Sequence, residues 1–126
     1  MRSGFVAAAA MAFAWTGAQA AEPQDFQVRT VSQLARLCGA EPDTALYAEA
    51  LQFCYGYISG AAQFHNALVG QGGLRPIACP TTEPTRSEFA QYFVNWARST
   101  ATPEQLAEPA VQGMARAAVA RWPCPR

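Results

Sequence analysis

The 126-residue sequence contains no lysine, a single histidine and few charged residues of either sign. Charged residues make up 14% of the chain, and nine arginines balance nine acidic residues. A nucleic-acid-binding protein needs a concentrated basic face that displaces counterions, and a neutral chain with scattered charges does not supply one. We therefore expect no nucleic-acid partner.

Beyond its N-terminus the sequence has no apolar run that is long and uncharged enough to span a bilayer. The N-terminus itself has the three parts of a secretory signal peptide. Arg2 provides the positive end, an apolar stretch runs from Phe5 to Trp15, and residues 18–20 read Ala-Gln-Ala, the small-x-small pattern of a cleavage site. We expect cleavage after Ala20, export to the periplasm and no membrane span in the mature chain.

The length that remains after cleavage is typical of one domain, which can bury about two thirds of its unfolded surface. We predict a chain in three parts: a signal peptide over residues 1–20, an N-terminal segment over residues 21–29 and one helical domain over residues 30–126.

The sequence also lacks the motifs of the common catalytic sites. It has no evident acid and base pair of carboxylates, no glycine-rich phosphate loop and no nucleophile elbow. His65 and Asn66 would need a free thiol to form a Cys-His-Asn site, and adjacent residues on a helix point about 100° apart. We expect a protein that is not an enzyme, with no catalytic residue, no cofactor and no metal site.

Four cysteines are the clearest feature that the sequence does have: Cys38, Cys54, Cys79 and Cys124. An even number in a small exported chain indicates disulfides, and the cysteine pairs of zinc sites lie much closer together than these do. Four cysteines allow three pairings. We favour Cys38 with Cys54, which joins neighbouring helices, and Cys79 with Cys124, which ties a long loop to the C-terminal region.

Helix starts are marked by capping boxes, in which a threonine and a glutamine or glutamate three residues later satisfy each other's backbone amides. These boxes begin at Thr30, Thr85 and Thr102. The first predicted helix ends at Gly39, in a left-handed C-cap. The last runs from Thr102 to the Trp-Pro pair at residues 122–123, where proline ends it.

The second predicted helix runs from an N-cap at Asp43 to about Val69, and we expect it to be the central element. The third has an aromatic face, expected to be core: Phe89, Tyr92, Phe93 and Trp96. No segment alternates like a strand. The sequence thus predicts an all-α fold, a small four-helix domain with two disulfides.

Two glycines, Gly56 and Gly60, lie four residues apart inside the second predicted helix. Each costs about 1 kcal/mol relative to alanine in a helix interior. The simpler interpretation is that they let another helix of the domain approach closely. The alternative is a closely packed dimer or a partner groove on that side.

The chain resembles the Rap/Tai immunity proteins, which protect bacteria from amidase toxins delivered by type VI secretion systems. The resemblance rests on Leu37-Cys38 at the end of a short helix, the Cys-Tyr-Gly-Tyr-Ile-Ser-Gly motif at residues 54–60, Cys79-Pro80 ahead of a helix, and the closing Trp-Pro-Cys-Pro at residues 122–125. It implies an all-helical periplasmic protein, often a homodimer, that covers the active-site cleft of a peptidoglycan amidase.

A loop rich in glycine, proline and threonine, over residues 70–84, is the surface that we expect to contact such a partner. Cys79 holds it, so it could enter a cleft without a large ordering cost. The proposed contact residues are Gln71, Leu74, Arg75 and Ile77. The alternative functions are a periplasmic stress chaperone of the same helical, disulfide-bonded type and an envelope adaptor.

Overall fold

The computed structural model describes residues 20 to 126, so the predicted signal peptide lies outside the described residues except for Ala20. This part of the chain contains a 3₁₀ helix at Pro23–Gln27 and five α-helices, and no strand. The all-α fold class is confirmed. The α-helices are α1 (Val31–Cys38), α2 (Tyr47–Gly70), α3 (Arg86–Ser99), α4 (Pro103–Leu106) and α5 (Ala110–Arg121).

The central element is α1, although it has only eight residues. Its apolar stripe of Val31, Leu34 and Leu37 has no exposed surface. It packs against all four other helices and against the 3₁₀ helix. The expectation that the long second helix is central was therefore wrong.

One glycine allows α5 to approach α1. A β-carbon added at Gly113 would overlap the side chain of Val31, with Cγ1 at 3.1 Å and Cγ2 closer still. The two helices therefore touch through the backbone of one and a β-branched side chain of the other. The Val31 amide also donates to the carbonyl of Glu108 at 2.9 Å, which holds the start of α1 against the start of α5.

Capping boxes open α1, α3 and α4 as predicted: Thr30, Thr85 and Thr102 each accept from the amide three residues on. The first helix ends at Gly39, but this residue is not left-handed, with φ −105° and ψ 17°. The position is crowded instead, because a β-carbon would lie 2.6 Å from the flexible end of the Arg98 side chain and 3.0 Å from the Val94 side chain.

The second helix begins at Tyr47 and not after an N-cap at Asp43. A turn over residues 41–46 precedes it, in which the Thr44 hydroxyl and amide both bond the carbonyl of Glu41. Leu46 then adopts a left-handed conformation with φ 64°. The later start places Cys54 about two turns into α2, where it reaches Cys38.

The last predicted helix is in fact two helices. Pro109 separates α4 from α5 and serves as the N-cap of α5. Proline lacks the amide that a continuous helix needs at this position and disfavours helical geometry in the residue before it. α4 is consequently a single turn, and α5 begins at Ala110.

The aromatic face of α3 lies in the core: Phe89, Phe93 and Trp96 are buried, and Tyr92 is partly buried. By contrast, α2 buries only Ala50, Cys54 and Ile58. Its glycines do not serve close packing within the chain, because a β-carbon at Gly56 or Gly60 would meet nothing within 4 Å. The simpler interpretation of these glycines was wrong.

The cysteines are joined as favoured from the sequence, Cys38 with Cys54 and Cys79 with Cys124. The first disulfide connects the end of α1 to α2. The second connects the loop before α3 to the segment after α5. In the chain-entropy model these crosslinks stabilise the fold by about 3 and 4 kcal/mol.

An ion pair with a buried carboxylate attaches the N-terminal segment to α1. Asp25 has no exposed surface, and both of its carboxylate oxygens accept from the Arg36 guanidinium, with Nε at 3.0 Å from each. The Glu22 amide donates to the same carboxylate at 2.9 Å. Burial alone would raise the pKa of Asp25, but the hydrogen bonds from Arg36 and from the Glu22 amide outweigh it, so this pKa lies below its ordinary value.

We expect Gly113→Ala to lower the free energy of unfolding by about 1–3 kcal/mol, because the new methyl group overlaps Val31 in a packed contact. The matched variant is Gly60→Ala, which adds the same methyl group into open space within a helix. It should stabilise the chain by about 0.5–1 kcal/mol. Urea titration at low protein concentration measures both, and equal effects of the two substitutions would refute this account of the glycines.

We expect Asp25→Asn to lower the free energy of unfolding by about 1–3 kcal/mol near neutral pH, because it removes the charge that Arg36 and the Glu22 amide bind. The folded-state pKa of Asp25 is depressed below 3.8. Its contribution is therefore fully present above the unfolded-state value and is lost as pH falls through the folded-state value.

Urea titrations over a pH series test this linkage, since the difference between the wild type and Asp25→Asn should shrink only as the pH drops below about 4. The control is Glu108→Gln, which breaks the more exposed Glu108–Arg116 pair. It should have a much smaller effect at every pH. A wild type whose advantage persists at the acidic end would contradict the assignment to Asp25.

Candidate functional site

The 70–84 loop is fixed to the rest of the domain at both ends of its exposed portion. Near its start, the Gly73 amide donates to the carbonyl of Leu68 at 2.9 Å. Further along, the Cys79 amide donates to the Trp122 carbonyl at 2.8 Å, beside the disulfide from Cys79 to Cys124. The loop lacks regular secondary structure, yet hydrogen bonds and a covalent bond define its path.

His65 supports the middle of this loop. Its Nε2 accepts from the amide of Ile77 at 3.3 Å, and its Nδ1 lies 3.2 Å from Oδ1 of Asn66. With Nε2 accepting, the ring carries its proton on Nδ1 and donates to Asn66. The only histidine therefore has a structural contact, from the second half of α2 to the loop.

Between this loop, α2 and α5 lies an apolar groove with a volume of about 570 Å³. Pockets that bind small ligands have volumes of about 300–1,000 Å³. One wall is the second half of α2, from Ile58 to Leu68, and the opposite wall is α5 with Trp122. The groove residues that lie on the loop and α3 are Leu74, Ile77, Ala78, Pro80, Glu83, Pro84, Thr85, Arg86 and Phe89.

Aromatic side chains form the deep part of the groove. The rings of Phe89 and Trp122 stack with centroids 6.1 Å apart, and Phe89 is buried. Outside the groove lining, Tyr57 on α2 is partly buried. Burial raises the pKa of Tyr57, and the nearby Val111 backbone on α5 opposes that rise. This phenol is therefore neutral near pH 7.

Several large apolar side chains at the groove remain exposed. The exposed fraction is 69% for Phe64, 53% for Val111, 40% for Leu74 and 39% for Ile77. All four line the same groove. Single exposed apolar residues are common, but a contiguous group around a concave surface is typical of a protein-binding or ligand-binding site.

The charged groups at the groove belong to the loop and the start of α3. The guanidinium of Arg86 lies over the ring of Tyr55, 5.2 Å from its centroid, and Glu83 is exposed on the loop. Arg75 is exposed between the two lining residues Leu74 and Ile77. None of these three takes part in the ion pairs found among residues 20 to 126.

The chain matches the family model of the Rap1a immunity proteins over residues 30–124. This match spans both disulfides and all five α-helices. The chain belongs to the Rap1a immunity protein family. It is accordingly an immunity protein of the kind associated with type VI secretion, and the family implies a toxin as its binding partner. Neither a curated protein nor a solved structure gives a significant match.

Further observations concern the cellular compartment in which this Rap1a family protein folds. Two disulfides and the family together indicate an exported protein. Within residues 20 to 126, no helix is both long enough and apolar enough to cross a membrane. The same residues contain no free cysteine, so His65 and Asn66 have no thiol with which to form a hydrolase site.

The four residues proposed from the sequence as partner contacts are all exposed in this Rap1a family domain. Leu74 and Ile77 line the groove, whereas Gln71 and Arg75 lie outside its lining. The structure thus places two of the four, Leu74 and Ile77, in one groove with residues from other helices. Whether any of them binds a partner stays a prediction.

Sequence reasoning missed most of the groove, including Arg86, Val111 and Trp122. One signal was available in α5, where residues 111, 115, 118 and 122 follow a second apolar stripe beside the buried stripe of residues 110, 114 and 117. When the apolar surface of a helix is wider than its neighbours can cover, one side of that surface stays exposed. The contribution of Arg86 had no such signal, because it depends on a contact with the Tyr55 ring on another helix.

We expect His65→Ala to loosen the loop without unfolding the domain. The Ile77 amide should exchange its hydrogen about 3- to 10-fold faster, because it loses one hydrogen bond of ordinary strength. Hydrogen exchange followed by NMR measures this, with Gln63→Ala on the exposed side of α2 as the control. Unchanged exchange at Ile77 in the His65 variant would show that the loop does not depend on this bond.

Proposed function

We propose that this chain is a periplasmic immunity protein that binds a peptidoglycan amidase toxin and neutralises it by covering its active-site cleft. The observation that carries the proposal is the match to the Rap1a immunity proteins over residues 30–124. Inhibition of this kind is steric, so it requires a shaped and rigid surface but no catalytic group. The protein is accordingly proposed to be a binder and not an enzyme.

The proposed location follows from the chemistry of the cysteines. Disulfides form and persist in oxidising compartments such as the bacterial periplasm. Peptidoglycan lies in the same compartment, so an immunity protein there meets an amidase where the amidase acts. We propose that residues 1–20 are removed on export, that residues 21–29 form the N-terminal segment, and that residues 30–126 form the domain that binds the toxin.

The proposed contact surface is the 70–84 loop, through Gln71, Leu74, Arg75 and Ile77. A flexible loop would lose conformational entropy on entering a cleft, and that loss weakens binding. Here the disulfide at Cys79 and the His65 bond to the Ile77 amide already restrict the loop. The exposed side chains of Leu74 and Ile77 would gain apolar burial at little ordering cost.

The direct test is a peptidoglycan-cleavage assay on a panel of type VI amidase toxins. The oxidised wild-type protein should inhibit one of these amidases. Light scattering should then give the number of chains in the complex, and it tests the homodimer that the resemblance implies. If no amidase of the set is bound or inhibited, the proposed immunity role is wrong for those toxins.

We expect the double substitution Leu74→Glu with Ile77→Glu to weaken binding of that amidase by at least about 10-fold, because two exposed apolar contacts become charged. The control is Val119→Glu, since Val119 is similarly exposed, at 46%, but does not line the groove. The control should bind like the wild type. Equal inhibition by all three proteins would place the toxin contact elsewhere.

A further inference from the structure

The groove is an apolar surface with one charged group in a fixed position. Phe64 is its most exposed lining residue, and Leu74, Ile77 and Val111 surround the same space. At the start of α3, Arg86 also lines it. A partner that fits this surface must therefore satisfy an apolar patch and a guanidinium at once.

Arg86 is held in place from one side only. Its guanidinium stacks over the Tyr55 ring at 5.2 Å, which stabilises the cation and restricts the side chain. No carboxylate lies within ion-pair distance of it among residues 20 to 126. The planar group can therefore present hydrogen-bond donors to a ligand, and carboxylates match its geometry in a bidentate pair.

Glu83 is the other charged side chain that lines the groove. It is exposed on the loop and makes no ion pair in the described part of the chain. A free rim carboxylate influences the association rate more than the affinity. Arg86, which its aromatic contact orients, is the better candidate for a specific pairing.

We propose that the groove receives a protein segment with apolar side chains and an adjacent carboxylate, and that this carboxylate pairs with Arg86. The proposal rests on the proposed function in that the natural source of the segment is the toxin. The apolar side chains pack against Phe64 and the loop, and the carboxylate sets the register of the segment. The surface is thus specific for a charge as well as for shape.

The first experiment does not depend on any toxin. A phage-displayed library of random peptides is selected on the oxidised mature chain, and binding of the enriched peptides is measured by the fluorescence of Trp122, which lines the groove. Subtraction of the signal of the Trp122→Phe variant removes the contribution of Trp96. Enriched peptides should combine apolar residues with Asp or Glu.

Arg86→Glu should weaken the enriched peptides by about 10-fold or more, because an attraction becomes a repulsion. The matched control is Arg29→Glu, since Arg29 is another exposed arginine that takes part in no ion pair among residues 20 to 126 and does not line the groove. This control should retain the affinity of the wild type, and circular dichroism confirms that each variant is folded.

The proposal is overturned if no peptide is enriched, if the enriched peptides lack acidic residues, or if Arg86→Glu binds them as well as the wild type does. It is also overturned if light scattering shows a second copy of the chain in the groove, released by Phe64→Ser. Inhibition of the amidase separates the two hypotheses. If the wild type and Arg86→Glu inhibit equally, the immunity function holds and the groove proposal fails.

Discussion

Val31, Leu34 and Leu37 have no exposed surface, although they belong to a helix of eight residues. An isolated helix of that length is unstable in water. α1 therefore exists because its neighbours cover it, and those neighbours are held in position because they share it. Its contact with Gly113 fixes α5, and the disulfide from Cys38 fixes α2. The remaining helices of the domain pack around this one buried stripe.

The groove follows from the difference in length between α1 and α2. A helix of eight residues is about 12 Å long, whereas the 24 residues of α2 extend over about 36 Å. α1 can cover only part of its longer neighbour, and the buried residues of α2 all lie between Ala50 and Ile58. The remainder of α2 stands beside α5 without a helix between them, and the 70–84 loop closes the space from a third side.

Local signals in the sequence predicted the helix starts at Thr30, Thr85 and Thr102, because a capping box is complete within four residues. These signals gave wrong helix boundaries where tertiary contacts determine the backbone conformation. Asp43 had the chemistry of an N-cap, but the disulfide geometry requires a turn there. The apolar periodicity after Thr102 concealed the break at Pro109. Most of the groove was not predicted, since it depends on relative helix length and on the bond from His65 to the loop.

The two disulfides join cysteines in the order in which they occur along the chain, the first with the second and the third with the fourth. A chain that enters an oxidising compartment from its N-terminus presents Cys38 and Cys54 before Cys79. An oxidase that joins each newly exposed pair by thiol–disulfide exchange then forms the native connectivity directly. Consecutive pairing can therefore form in the order of translocation, without an isomerase to rearrange incorrect pairs.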